Sequence, residues 1–116
     1  MATYTKQKLS GSTNGKGILI ATSGSTGTTV HTAVSGTSDW DEVWIYAMNN
    51  SASVVTLTLE FGGTPAANLI KCSVQPLSGL QLVIPGLLLQ NSLVLTVYAS
   101  TINVVTIHGF VNRIAA

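Results

Sequence analysis

Four acidic residues are the only carboxylate side chains in the sequence, and three of them stand together at residues 39–42 (DWDE). Two carboxylates in unequal environments can divide the roles of proton donor and base in hydrolysis, so this cluster is the first place to look for a reaction. In so acid-poor a chain, the cluster is more typical of a solvated strand entry, or of one side of an ion pair between subunits with Lys71, Arg113 or the basic amino-terminal residues. We therefore expect no catalytic carboxylate pair.

Two histidines and one cysteine are the other side chains with reactive chemistry. His31 and His108 could each act with a serine and an acid, because a histidine relays the proton in a catalytic triad. No serine lies in the glycine-flanked elbow that would support a triad, and we expect each histidine to be a hydrogen-bonded structural residue. His31, Cys72 and His108 form no close pair of metal ligands. Cys72 shares a strand face with Ile70 and Val74, which predicts a small buried apolar side chain. The sequence predicts no enzyme, no metal and no cofactor.

The aromatic residues could form a platform on which a sugar ring stacks. The chain has two Trp, three Tyr and two Phe, and the candidates for such a platform are Trp40, Trp44, Tyr46, Tyr98 and Phe110. With so few aromatic rings, we expect packing in the core or at an interface, because these side chains bury the largest apolar area. Saccharide binding stays as the alternative.

The composition limits the possible partners. Charged residues make up 8% of the chain, against about 25% in an ordinary soluble domain, while apolar residues make up 46%. The remaining polar groups are mostly hydroxyls and amides, which suit a surface that is later buried against another protein. The net charge of +1 creates no field that would attract nucleic acid or an anionic membrane, so we expect neither as a partner. Self-association is the natural inference.

The elements that must position these residues are predicted to be strands. Val, Ile and Thr supply 35 of the 116 residues, and β-branched side chains favour strands. Turn-forming residues divide the chain into eight predicted strands at 16–22, 28–35, 41–49, 53–61, 68–75, 80–84, 87–99, with a break near Asn91, and 103–113. This spacing predicts an all-β fold, an antiparallel two-sheet sandwich of jelly-roll type over residues 16–116.

The predicted strand at 53–61 is apolar on one face only. The apolar residues Val55, Leu57, Leu59 and Phe61 alternate with Val54, Thr56, Thr58 and Glu60. We expect the first face to enter the core and the second to be solvated.

Two predicted strands are apolar on both faces. In one, Val43, Ile45 and Ala47 alternate with Trp44, Tyr46 and Met48, and the last strand carries Phe110 opposite its core-facing valines. Gly109 in that strand indicates a bulge or a close approach of another backbone. We expect one face of each strand to enter the core and the other to form a self-interface. The predicted interface residues are Trp44, Tyr46, Met48 and Phe110.

Residues 1–15 are polar, rich in Lys, Ser, Thr and Gly, and contain no acid. Such a segment buries little apolar surface of its own, so we expect a flexible basic arm that is ordered by a neighbouring molecule.

Four segments resemble small virion proteins of tailed bacteriophages, of the capsid decoration, or cement, type. They are residues 28–34 (TTVHTAV), 39–50 (DWDEVWIYAMNN), 93–100 (LVLTVYAS) and 105–113 (VTIHGFVNR). The resemblance implies a homotrimeric β-sandwich that lies on the capsid exterior and binds the major capsid protein, with no catalytic residue. In that setting Lys6 and Lys8 of the arm would contact the coat.

The apolar runs and the amino-terminal residues bear on where the protein is made. No apolar run reaches the length of about twenty residues that a membrane span needs, and no signal-peptide pattern is present, so we expect synthesis in the host cytoplasm.

The alternative function is a receptor- or carbohydrate-binding module of a phage fibre or adhesin, with Trp40 in an exposed loop at residues 39–42.

Overall fold

The structure, a computed structural model, describes residues 2–115. Met1 and Ala116, the outer ends of the predicted arm and of the predicted sandwich domain, lie outside the described residues. The strands are β1 (Thr3–Lys8), β2 (Ile18–Leu19), β3 (Thr28–Thr32), β4 (Trp40–Asn49), β5 (Val55–Phe61), β6 (Leu69–Val74), β7 (Gln81–Leu89), β8 (Val94–Ala99) and β9 (Val105–Ala115), with one 3-10 turn at Ala66–Asn68. The predicted all-β class is confirmed. Within residues 2–115, no helix has the length and apolar character needed to cross a membrane.

The strands form two sheets that pack face to face. Sheet A has the order β1-β9-β4-β7, and β2 pairs with β9 beyond the end of β1. Sheet B has the order β3-β8-β5-β6. Neighbouring strands are antiparallel in both sheets, and from β2 onward each link except β5 to β6 passes from one sheet to the other. The predicted antiparallel sandwich is confirmed.

The core lies between the two sheets, and β4 and β5 contribute to it by alternation. Val43, Ile45 and Ala47 of β4 are fully buried and face the interior, as do Leu57 and Leu59 of β5. Since successive side chains of a strand point to opposite faces, their neighbours in β4 point away from the core. The predicted inner faces of β4 and β5 are confirmed.

The outer face of β5 differs from the expected wet surface. Thr58 and Glu60 point away from the core, yet they are only 4% and 1% exposed. The segment at residues 22–28 folds over this part of sheet B, and Ser25 and Gly27 contact Glu60. A loop therefore covers a face that the local alternation predicts to be solvated.

The boundaries of β7 also differ from the prediction. Pro85 and Gly86 were expected to separate two strands, but β7 passes through both. The register with β4 shifts between Val43 and Trp44 and again between Ile45 and Tyr46, and Gly86 has a φ of +81°. These bulges admit a proline and a left-handed glycine into an edge strand. The predicted break at Asn91 is confirmed, because β7 ends at Leu89.

The expected flexible arm at residues 1–15 is not confirmed. Thr3–Lys8 is strand β1, which pairs along its whole length with β9. Leu9 is 1% exposed, and the Gly11 amide donates a hydrogen bond to the Val30 carbonyl of β3. A polar sequence can form an edge strand because pairing uses the backbone while the side chains stay exposed. The amino-terminal segment is thus part of the sandwich.

Candidate functional site

The outer face of sheet A carries the four residues predicted to form an interface. Trp44, Tyr46 and Met48 alternate with the core residues of β4 and point outward. Phe110 of β9 lies directly opposite Trp44. All four are half-buried. The structure therefore brings them together on the outer face of sheet A, and we call this whole outer face the aromatic face.

The strand registers arrange the aromatic face in rows, because directly paired residues point to the same side of a sheet. From β1 across β9 and β4 to β7, the rows are Tyr4, Ile114 and Trp40; Lys6, Asn112, Glu42 and Leu88; Lys8, Phe110, Trp44 and Pro85; and His108, Tyr46 and Leu82. Tyr4, Leu82 and Leu88 are 70%, 47% and 47% exposed. A row of polar groups thus lies between rows of aromatic and aliphatic side chains.

The centre of the aromatic face is a pair of stacked rings. The ring centroids of Trp44 and Phe110 are 6.1 Å apart, and the ring planes differ by 12°. The Lys6 Nζ lies 4.6 Å from the Phe110 centroid, a distance typical of a cation–π contact. A Cβ atom at Gly86 would lie 2.9 Å from the Trp44 ring, so the glycine makes room for the indole. The rings are held in place by β1, β9 and β7 together.

Glu42 places a fixed negative charge beside these rings. Its Oε1 accepts hydrogen bonds from Trp44 Nε1 at 2.7 Å and Asn112 Nδ2 at 3.0 Å. These two bonds hold the pKa of Glu42 below its ordinary value, with the Trp44 bond as the larger cause. Within the described chain, Oε2 accepts no hydrogen bond. It is therefore free to accept one from another molecule.

The two lysines predicted to contact a coat protein lie at the β1 side of the aromatic face. Lys6 contacts Phe110, as described above, and Lys8 Nζ donates to the Ser12 carbonyl at 2.9 Å. Both side chains are exposed. They belong to the same surface as Trp44 and Phe110 and not to a separate arm.

The acidic cluster differs from the expectation of a solvated strand entry or an ion pair between subunits. Asp41 is fully buried and binds Arg113 of its own chain, with distances of 2.8 Å from Nε to Oδ1 and 3.0 Å from Nη2 to Oδ2. Asp41 and Glu42 are consecutive in β4 and point to opposite faces. They cannot act on one substrate. Trp40 and both acids lie within a strand, not in an exposed loop.

His31 completes the buried network around Asp41. Its Nε2 lies 2.8 Å from Asp41 Oδ2, and its Nδ1 accepts a hydrogen bond from the Ser10 amide at 3.0 Å. The acceptor role of Nδ1 puts the ring proton on Nε2, which donates to the carboxylate. The expected role of His31 as a hydrogen-bonded structural residue is confirmed. Both ring nitrogens are occupied.

The pKa of Asp41 reflects two opposing effects. Burial by itself raises the pKa, but the hydrogen bonds from Arg113 and His31 outweigh it and leave the pKa below the ordinary value. The hydrogen bond with Asp41 raises the pKa of Arg113. Sequence reasoning missed this network, although one signal was present: Asp41 is in phase with Val43 and Ile45, the core-facing residues of β4.

Glu60 is a second buried carboxylate that the sequence did not reveal. It accepts hydrogen bonds from Ser25 Oγ at 2.5 Å, Thr96 Oγ1 at 2.6 Å and the Gly27 amide at 2.9 Å. Burial raises its pKa, and the three donors, led by Ser25, lower it further than burial raises it. Glu60 thus anchors the loop over sheet B. Among residues 2–115, no group of three or more His, Cys, Asp or Glu side chains is placed to hold a metal ion.

A shallow depression of about 250 Å³ lies on sheet B, close to this carboxylate. Its walls are formed by glycines, hydroxyl side chains, Leu93 and Val94, with no charged group. Pockets for small molecules usually measure about 300 to 1,000 Å³ and offer convergent polar groups. The aromatic face is therefore the stronger candidate site.

Comparison of the chain with protein-family models, with curated proteins and with solved structures finds no match.

Proposed function

We propose that this protein is a non-enzymatic structural protein of a virion, which decorates and stabilises a phage capsid as a homotrimer bound to coat subunits. The observation that carries the proposal is the aromatic face. Trp44, Tyr46, Met48 and Phe110 present a continuous apolar surface on a folded chain whose core is already complete. An ordinary soluble surface avoids apolar patches of this kind unless they bind something.

The strand order supports a jelly-roll reading of the sandwich. If β1 and β2 are taken as one interrupted edge strand, each sheet has four strands and almost every link crosses between sheets. Eight antiparallel strands joined in this way are typical of the jelly rolls found in viral capsid proteins and lectins. The proposed setting on the capsid exterior agrees with this architecture.

The aromatic face is large enough for contact with a second copy. Four strands by the ten residues of β4 correspond to roughly 600 Å² of flat area. A stable interface covers about 800 Å² of accessible surface on each partner. The side chains make the accessible area of the face larger than its flat area, so the face is of the right size for a self-interface. Lys6 and Lys8 lie on this surface, so we now assign them to contact between copies.

A homotrimer would stabilise a capsid through several weak contacts. Three linked coat-binding sites raise the effective concentration of each site after the first has bound, and this slows release without any strong single contact. Such a protein needs no reaction and no cofactor.

Light scattering coupled to size exclusion, at low micromolar concentration and moderate salt, tests the proposal. We expect a closed trimer, three times the 12.0 kDa mass of one chain. Tyr46→Lys and Met48→Lys should each give monomers, because a charge on the aromatic face would be buried without a partner. Thr56→Lys, on the outer face of sheet B, is the matched control and should stay trimeric. A monomeric wild-type chain would overturn the proposal.

Saccharide binding is the second candidate, and one observation favours it. The free Glu42 Oε2 lies in a polar row between aromatic rows, and Trp40, in the adjacent row, is 39% exposed. Stacked rings beside fixed hydrogen-bonding groups suit a sugar ring. The test is a glycan array with the wild-type chain and with Trp40→Ala. A wild-type chain that is monomeric and binds a glycan, together with a Trp40→Ala chain that does not bind it, would favour this function over self-assembly.

A further inference from the structure

The two edges of sheet A differ in their protection. The edge strand β7 has no charged residue in its nine positions, and Leu82, Leu87 and Leu88 are 42% to 47% exposed. Natural proteins usually protect an exposed apolar edge with charges or cover it, because its free backbone groups pair with other strands. The only described strand that pairs with β7 is β4. We therefore expect another strand to pair with the free edge of β7.

The opposite edge is β1, whose side chains Lys6 and Lys8 are charged. Because β1, β9, β4 and β7 alternate in direction, β1 and β7 are antiparallel to each other. A rotation axis parallel to the strands would place the β7 edge of one copy beside the β1 edge of the next. These two strands would then form an antiparallel pair, and the ring would close.

We propose that β7 of one copy pairs with β1 of the next copy in a closed ring, so that sheet A continues from copy to copy. The proposal rests on the self-assembly proposed above and names its geometry. The aromatic faces of the copies then face the common axis, and the leucines of β7 are covered. The partner that pairs with the β7 edge is therefore a second copy of the chain.

The row pattern favours this geometry over a two-fold dimer. A rotation about an axis parallel to the strands keeps each row level with the same row of the next copy. Lys6 of one copy then lies opposite Leu88 of its neighbour, with Glu42 of that neighbour one strand further. Glu42 then lies two strand spacings, about 10 Å, from Lys6 of its own chain on one side and from Lys6 of the next copy on the other, a distance that extended Lys and Glu side chains can bridge. An axis perpendicular to the strands would reverse the row order and lose this match.

The pairing also agrees with the position of Pro85. With Lys6 opposite Leu88, the last residue of β1, Lys8, lies level with Pro85, so the proline stands at the end of the ladder. Proline has no amide hydrogen to donate and is tolerated where a ladder ends. The pairing segment is therefore residues 86–89 of β7.

A pair of cysteines tests the proposed contact. Lys6→Cys and Leu88→Cys are introduced together in a Cys72→Ser background, which removes the one natural thiol. Within one chain the two positions are three strand spacings, about 14 Å, apart, too far for a disulfide, which needs Cα atoms within about 7 Å. Any disulfide must join two copies. After mild oxidation, we expect most of the protein to migrate as a covalent trimer in denaturing, non-reducing electrophoresis.

The matched control places the two cysteines at the edges of sheet B. Thr29 of β3 and Leu69 of β6 share a row and are also three spacings apart. The chain with both Thr29→Cys and Leu69→Cys should form no disulfide between copies and should migrate as a single chain in the same electrophoresis. Equal cross-linking of the two pairs, or none in either, would overturn the edge pairing.

Two measurements separate failure of the pairing from failure of self-assembly. Light scattering of the Lys6→Cys/Leu88→Cys chain under reducing conditions shows whether it associates. An oligomer that forms no disulfide would overturn the edge pairing alone, whereas a monomeric wild-type chain would overturn both proposals.

Hydrogen exchange tests the pairing in the wild-type chain, without any substitution. We expect the amides of residues 86–89 to exchange at least about tenfold more slowly at high than at low protein concentration, with β6 unchanged. Equal exchange at both concentrations in an associating chain would contradict the pairing.

Discussion

Asp41 joins parts of the chain that are distant in sequence. Its carboxylate binds Arg113 of β9 and His31 of β3, and it also accepts a hydrogen bond from the Val34 amide at 3.1 Å. Sheets A and B are thus tied together at this end of the sandwich by one buried charge. Removing one partner of a buried pair is costly, because the other charge is left uncompensated.

Asp41→Asn should lower the free energy of unfolding by about 3 kcal/mol. Arg113 loses its counter-charge, and the new amide NH2 group faces the donors that the second carboxylate oxygen accepted. Urea denaturation at pH 7, followed by far-ultraviolet circular dichroism, measures this change. Glu42→Gln is the matched control and should cost less than about 1 kcal/mol, since Glu42 lies on the outer face of sheet A and its amide oxygen can accept the same bonds. Equal losses in the two variants would contradict the role of Asp41.

Acid should destabilise the protein through its carboxylates. The pKa values of Asp41 and Glu60 are lowered in the folded chain, so the unfolded chain binds more protons in acid. Their contribution to stability is present above the ordinary carboxylate pKa of about 4 and is lost as the pH falls through the lower folded values. Urea midpoints measured between neutral pH and pH 3 should decline below about pH 5. The decline should be shallower in Asp41→Asn, and parallel curves would speak against this linkage.

At the scale of elements, β9 organises sheet A. It pairs with β1, β2 and β4, and its register with β4 runs for ten residues. Gly109 lies opposite Ile45 in that register, and a Cβ atom there would overlap the Trp44 carbonyl oxygen. The sequence-based expectation of a close backbone approach at Gly109 is confirmed.

Gly109→Ala should lower the free energy of unfolding by about 2 to 3 kcal/mol, because the new methyl group forces β4 and β9 apart. Thermal and urea unfolding measure the loss. Gly24→Ala serves as the control, since a Cβ at Gly24 would meet nothing within 4 Å. A stability of Gly109→Ala equal to that of the control would show that the strands adapt without cost.

At the scale of the whole molecule, low charge and an exposed aromatic face go together. The chain is elongated, with extents of 48 × 27 × 21 Å, so a large share of its residues lies near the surface. With 8% charged residues, that surface has few ions to keep copies apart.

The apparent Tm should therefore depend on protein concentration. Association stabilises the folded state by mass action, and a hundredfold rise in concentration should raise Tm by about 5 °C or more. Differential scanning calorimetry at about 2 µM and about 200 µM measures the shift. Met48→Lys should unfold at one temperature at both concentrations. A wild-type Tm that does not change would contradict self-association.

The sequence alone determined the properties that depend on local alternation. The two-residue period of β4 separates Val43 and Ile45 from Trp44 and Tyr46, since the extended backbone turns successive side chains to opposite sides. The all-β class and the existence of a second apolar face follow from this local geometry.

Only the tertiary structure decided which strands lie side by side. Asp41 meets Arg113, and Lys6 meets Phe110, because β9 pairs with both β4 and β1, and backbone hydrogen bonds form such ladders between segments of almost any sequence. For the same reason a polar segment, Thr3–Lys8, became an edge strand instead of an arm. Pairing partners far apart in the chain leave no periodic signal, so the aromatic face could be predicted residue by residue in β4 but its rows could not.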